Sequence, residues 1–193
     1  MYILRFEKVS FEEWEKEVNK TGLLRESAFH HAVNRHIIEK GLFKDGKSNL
    51  RAVWESIRLP ERATKYSAGY DFFTPIKISL DRGSMITIPT GIKWNPGKDK
   101  MNTYLSIYPR SSLGRDYSLR EPNIVSIIDA DYYGNESNEG HIFINLKNEG
   151  NNDRMCVIEA GKAYAQGIIQ TYYLVDDDNA TGVRSGGFGS TNV

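Results

Sequence analysis

The feature that most restricts the fold of this chain is a β texture that begins at Tyr70 and runs through most of the remaining residues. Ile86-Thr87-Ile88, Tyr104-Leu105-Ser106-Ile107-Tyr108 and His141-Ile142-Phe143-Ile144-Asn145-Leu146-Lys147 alternate, or nearly alternate, between apolar and polar residues. In the last run Ile142, Ile144 and Leu146 fall on one face. Turn chemistry separates the runs at Asp81-Arg82-Gly83, Asn95-Pro96-Gly97, Asn135 to Gly140, and Glu149-Gly150-Asn151-Asn152-Asp153. Short strands at regular intervals with no helical crossovers predict an all-β sandwich or jelly roll.

The texture changes near Leu59-Pro60, and the residues before it read as helical. Ser10-Phe11-Glu12-Glu13 has the form of a capping box, in which the serine and Glu13 side chains each cover an orphan amide. Phe11, Trp14 and Val18 follow at helical spacing, and Gly22 supplies a stop. A second helix is expected from about Ser27 to Lys40, with Phe29, Val33 and Ile37 on one side, and a short third one from Leu50 to Ile57. These apolar stripes are too narrow for an independent core, so residues 1–56 are expected to pack as an extension on a β domain of residues 57–175. Residues 176–193 carry almost no hydrophobic pattern and read as a flexible C-terminal arm.

Lysine plus arginine equals aspartate plus glutamate at 25 each in the 193 residues. A duplex-DNA binder needs a basic excess to displace counterions, so nucleic acid is not an expected partner. The start of the chain has charges too early for a signal-peptide core, and no apolar run approaches the ~20 residues that span a bilayer. No membrane association is expected, and a cytoplasmic location is. The single cysteine, Cys156, suits a reducing compartment and reads as a small buried hydrophobe.

Five short motifs stand out. Asp129, in Ile128-Asp129-Ala130-Asp131-Tyr132-Tyr133-Gly134, follows an apolar run that holds its backbone in a strand. A carboxylate there suits a general base for water, though taken alone the tripeptide Asp129-Ala130-Asp131 reads more readily as a turn-forming aspartate. Pro109-Arg110-Ser111-Ser112-Leu113-Gly114 offers a guanidinium beside two hydroxyls, a phosphate-binding combination or a common strand-end turn. Asp71, in Ala68-Gly69-Tyr70-Asp71, is a candidate for Mg²⁺ through water, or a structural aspartate paired with an arginine. Gln166, in Gly161-Lys162-Ala163-Tyr164-Ala165-Gln166, is a candidate polar group or a half-exposed strand residue. Gly186-Gly187-Phe188-Gly189-Ser190-Thr191 is not a Walker loop, because no lysine follows the glycines. Its backbone is free to approach phosphates, and it also reads as a plain tail.

In this order the five motifs resemble those of the trimeric dUTPase family, from about Ile57 to the C-terminus. The resemblance implies the dUTPase type of jelly-roll β-barrel or sandwich, here with a helical N-terminal extension. It implies hydrolysis of dUTP to dUMP and pyrophosphate with Mg²⁺ as cofactor, in a homotrimer whose sites are shared among subunits. Asp129 would activate the water that attacks the α-phosphorus, and Tyr132 would lie under the deoxyribose and exclude a 2′-hydroxyl. Arg110, Ser111, Ser112 and Gln166 would bind the triphosphate, with Asp71 as an outer-sphere partner of the metal. Gly187, Ser190 and Thr191 would belong to an arm that folds over a neighbour's site and stacks Phe188 on the uracil. One chain would then give Arg110, Ser111 and Gln166, a second Asp129 and Tyr132, and a third the arm.

Departures from the family pattern accompany the resemblance. Arg184 stands one residue closer to the Gly-Gly pair than the family's arginine, whose place Val183 takes. Ser126 replaces a frequent glycine, and the segment Asn135 to Gly140 is longer than in many members. His30, His31 and His36 are not spaced as ligand pairs on one helix face. Two other readings fit the sequence. One is a dUTP-binding regulatory protein whose extension recognises a protein partner. The other is a dCTP deaminase of the same fold, which the aspartate motif and glycine-rich arm disfavour.

Overall fold

The computed structural model describes residues 4–20, 28–97, 102–150, 154–182, 184 and 186. The first part contains β1 (Arg5–Lys8), α1 (Phe11–Val18), α2 (Ala28–Lys40), β2 (Phe43–Lys44), β3 (Lys47–Ser48) and α3 (Leu50–Glu55). Then come β4 (Glu61–Arg62), β5 (Tyr70–Phe73), β6 (Ile78–Leu80), β7 (Met85–Asn95), β8 (Thr103–Pro109), α4 (Ser111–Tyr117), β9 (Leu119–Arg120) and β10 (Ser126–Asp129). A 3₁₀ turn, Ala130–Tyr132, leads towards β11 (His141–Asn148), β12 (Cys156–Ile158) and β13 (Ala163–Thr171).

Two antiparallel sheets make the body, in strand orders β1-β7-β11-β9 and β10-β8-β13-β5-β4, with β12 and β6 paired separately. The alternation expected in β11 is realised: Ile142, Ile144 and Leu146 are fully buried, while Phe143, Asn145 and Lys147 are partly exposed. Leu105 and Ile107 of β8 and Ile86 and Ile88 of β7 join the same core. Cys156 is buried in β12, and burial pushes its thiol up to about 11, so it packs as an unreactive small side chain.

The helices form where the apolar spacing puts them. Trp14, Val18, Phe29, Val33, Ile37 and Val53 are each at most 1% exposed and belong to the one core cluster that also contains the sheet residues. Burial of each such side chain contributes roughly 1.5–3 kcal/mol, which ties α1, α2 and α3 to the sheets. The Trp14 indole N–H donates to the Pro89 carbonyl of β7 (3.1 Å), satisfying its one polar atom.

Three details differ from the sequence reading. Residues 5–8 form a strand, β1, paired with β7 from Arg5↔Asn95 to Lys8↔Ile92, so the extension supplies an edge of the first sheet as well as helices. Four residues with one apolar side chain carry no readable period, and the pairing comes from β7. The capping box is half-formed. Ser10 Oγ accepts from the Glu13 amide (3.1 Å), but the Glu13 carboxylate turns to Lys16 and His141, and Glu139 accepts from the Ser10 amide instead (3.1 Å). The third helix stops at Glu55, where the Ser56 hydroxyl donates to the Val53 carbonyl (2.6 Å). Gly22 and Ser27, the expected helix stop and start, lie outside the described residues.

Candidate active site

Strand register sorts the candidate residues into two groups. In the second sheet, Gln166 of β13 pairs with Asp71 of β5 on one side and Tyr108 of β8 on the other. Arg110 follows β8 directly, and its Nη1 donates to Asp71 Oδ2 in a close ion pair. Asp71 is buried, so the guanidinium compensates a carboxylate taken out of water. Gly69 leaves room for the Gln166 side chain, since a Cβ at that position would stand 2.6 Å from Gln166 Oε1. Ser111 and Ser112 are exposed at the start of α4, a short helix where the sequence suggested only a turn. Asp71, Arg110, Ser111, Ser112 and Gln166 thus gather where β8 ends.

Asp129 lies elsewhere. It closes β10 and pairs with Tyr104, near the start of β8. Six residues separate Tyr104 from Arg110, so the backbones at Asp129 and Arg110 stand about 20 Å apart at ~3.3 Å per residue. Within one chain, the candidate base and the candidate phosphate arginine do not meet.

Asp129 has its own company. Arg184 Nη2 donates to Asp129 Oδ2 (2.5 Å) and Arg184 Nε to Asp131 Oδ1 (2.9 Å), so one guanidinium fork spans both carboxylates. Its central carbon lies 5.8 Å from the centre of the Tyr132 ring. The Asp129 side chain remains 51% exposed, which leaves room for a water on its free oxygen. The Asp131 carboxylate is thereby tied to the last segment of the chain rather than to its own turn. Arg184 carried no expectation beyond its shifted spacing; as the lone arginine of the last segment it was the only signal for this contact. Phe188, Gly187, Ser190 and Thr191 lie outside the described residues.

Tyr132 is buried, and burial raises its hydroxyl above the ordinary tyrosine range. Its O–H donates to the His141 carbonyl (2.9 Å) and accepts from Asn138 Nδ2 (2.7 Å). The longer segment after Gly134 is stitched by side-chain amides. Asn135 Nδ2 donates to the Tyr132 carbonyl and to Asn138 Oδ1, while Asn135 Oδ1 accepts from the amides of Ser137 and Asn138. Gly140 has φ +85°, and a Cβ there would stand 2.8 Å from the Tyr132 carbonyl oxygen. The added length closes tightly beside Tyr132.

Ser126 also has a reason to be there. Its hydroxyl donates to Glu121 Oε2 (2.6 Å), while Glu121 Oε1 is buried with no hydrogen-bond partner among the described residues. Desolvation pushes the Glu121 carboxyl up to about 7. Folding therefore takes up a proton between the ordinary value of 4.5 and about 7. The stability this group supports is full below about 4.5 and is lost as pH rises through about 7, a loss of roughly 3 kcal/mol. Glu121→Gln is expected to remove that slope and to be the more stable protein at pH 8, as read by urea unfolding from pH 5 to pH 8; an unchanged slope would place the titration elsewhere.

Among the described residues, no group of three or more His, Cys, Asp or Glu is gathered as a metal site, and no helix is long and apolar enough to cross a membrane. His30 Nδ1 bonds the Val18 carbonyl oxygen, and its Nε2 bonds Asn34.

Fold and site together define an all-β enzyme of the jelly-roll class, with an acid–arginine cluster at each end of a shared strand. The chain belongs to the dUTPase family, whose profile matches residues 55–192. It is 39% identical over 139 residues to the deoxyuridine 5'-triphosphate nucleotidohydrolase of Lactococcus lactis, covering 71% of this chain and 89% of the relative. A protein of the same description from Aeromonas salmonicida is 32% identical over 143 residues, 69% of this chain and 86% of that one. Among solved structures, the dUTPase of Streptococcus mutans superposes with a TM-score of 0.53 at 37% identity over 61% of this chain and 88% of that chain. The dUTPase of phage phi11 of S. aureus shares the fold, with a TM-score of 0.51 at 21% identity over 68% of this chain and 94% of its own. The family match starts at residue 55, so α1 and α2 lie outside it.

Proposed function

We propose that this protein hydrolyses dUTP to dUMP and pyrophosphate, in sites assembled between copies of a homotrimer. Family membership supports the reaction. The observation that carries the shared site is the separation of Asp129 from Arg110 along β8, which one chain does not bridge. A neighbouring copy that sets its β8 end against the Asp129 end of the first brings the two groups within reach of one triphosphate.

In that arrangement Arg110 grips phosphate oxygens as a fork, oriented by its pairing with buried Asp71. Ser111 and Ser112 donate hydroxyls to the phosphates, and Gln166 extends the polar surface from β13. Tyr132, fixed at its hydroxyl, presents its ring to the deoxyribose and leaves no space for a 2′-hydroxyl. Asp129 accepts a proton from water as the water oxygen bonds the α-phosphorus in line; the bond from that phosphorus to the departing pyrophosphate breaks. Arg184 holds Oδ2 of Asp129, so the water is taken by the other carboxylate oxygen. Positioning and charge stabilisation supply most of the rate gain, as in other phosphoryl transfers. The arm residues Gly187, Phe188, Ser190 and Thr191 cover the nucleotide, with Phe188 on the uracil.

The donor set fits a Mg²⁺ ion carried mainly by the triphosphate, because among the described residues Asp71 is the acid paired with Arg110 and its Oδ2 is already engaged; Asp71 would hold a metal water through its other oxygen. When bound, the ion supplies neutralisation of the leaving pyrophosphate.

Pyrophosphate release measured side by side on dUTP, dCTP, dTTP and UTP with Mg²⁺ tests the proposal. Turnover of dUTP alone is expected. Comparable turnover of UTP would remove the sugar-sensing role of Tyr132, and ammonia from dCTP would move the reaction to the base.

A further inference from the structure

The N-terminal helix α1 is bonded to the segment that holds Tyr132 by four separate contacts. Glu139 accepts from both the amide and the hydroxyl of Ser10. Lys16 Nζ donates to the Ser137 carbonyl (3.2 Å), and the Glu13 carboxylate faces His141 (Nδ1–Oε1, 3.4 Å). His141 is fully buried, and its ring state is fixed by geometry. The Gly91 amide donates to Nε2 (2.9 Å), so Nε2 is the acceptor and the proton sits on Nδ1, directed at Glu13. The His141 carbonyl in turn accepts the Tyr132 hydroxyl, whose other partner, Asn138, lies next to Ser137. Two contacts joined by the covalent frame of His141 therefore link α1 to the hydroxyl of Tyr132, Glu13 on the imidazole and Tyr132 on the backbone carbonyl. Lys16 is held against Glu13 by an ion pair, and Trp14 anchors the helix to β7.

We infer that α1 is a positioning element for nucleotide selection, with Glu13 setting the orientation of Tyr132 through His141. The inference rests on the proposed dUTP reading and adds to it a role for the extension, which lies outside the family match. Removing the Glu13 carboxylate strands the buried Nδ1–H, and the imidazole turns or shifts to find another acceptor. Its backbone carbonyl moves with it, and the ring of Tyr132 loses its fixed place beside the sugar. Asp129, held by β10 against β8, is outside this path, so the chemical step should be spared.

Steady-state kinetics on dUTP and UTP distinguish this role from simple structural support. Glu13→Ala is expected to raise KM for dUTP about tenfold and to lower the dUTP-to-UTP preference by a similar factor, with kcat within about twofold. Glu13→Gln keeps an acceptor oxygen for Nδ1–H and should restore both parameters to near wild-type. Ser10→Ala, which removes one bond to Glu139 and the cap, should shift KM in the same direction by less, and serves if Glu13→Ala does not fold. A fall in melting temperature with wild-type KM and preference in the Glu13→Ala protein, or in Ser10→Ala where only that variant folds, would overturn the inference and leave α1 a clamp. Wild-type protein inactive on dUTP would overturn the proposed function itself, which is seen before any variant is compared.

Discussion

Asp129→Asn is expected to lower kcat on dUTP by about 10²- to 10⁴-fold, the range that a positioned general base supplies. The substitution keeps the shape of the side chain. An asparagine Oδ1 still accepts from Arg184, and β10 still holds the backbone against β8. On the proposed mechanism, what disappears is the capacity to take a proton from water as the bond to the α-phosphorus forms. Affinity for a non-hydrolysable dUTP analogue should therefore stay within about threefold, since binding falls to the phosphate and base contacts made elsewhere. Calorimetric titration with the analogue, set beside pyrophosphate release, separates the two effects. Near-normal turnover would show that water is activated by another group. Lost affinity together with lost turnover would instead make Asp129 part of the binding surface.

The sequence carried the strand pattern and the order of motifs because both are local. Alternation in β11 and helical spacing at Phe29, Val33 and Ile37 are set by burial on one face, and they appear in the structure where the spacing puts them. The missing pieces are contacts between distant segments. β1 has no period of its own and exists by pairing with β7, 84 to 90 residues on. Glu13 reads as half of a capping box, yet its carboxylate faces His141, 128 positions away, while Glu139 takes the place beside Ser10. Ser126 reads as a departure from glycine until Glu121 is seen to receive its hydroxyl. Arg184 reads as misplaced by one residue, and only the folded chain brings it to Asp129 and Asp131. The division of site residues between the two ends of β8 follows from register alone. Register is fixed by pairing partners that a single sequence does not name.

That division leads to a result with no intermediate outcome. Chains carrying Asp129→Asn and chains carrying Arg110→Ala are each expected to be nearly inactive. Unfolded together at equal amounts and refolded as mixed trimers, they should recover about one quarter of the wild-type rate per site. The reasoning is combinatorial. On the proposed shared site, a working centre takes Arg110 from one copy and Asp129 from another. The first must be an Asp129→Asn chain, with its arginine intact, and the second an Arg110→Ala chain, with its aspartate intact. Each choice is met half the time, and the recovery should fall off on either side of equal mixing as the product of the two fractions. If base and arginine served the same site from the same chain, every site in every mixture would lack one of them, and activity would stay at the level of the single variants. The register of Asp129 against Tyr104, about 20 Å from Arg110 along β8, favours recovery; a flat, inactive mixing curve from trimers shown to be mixed would refute the shared site.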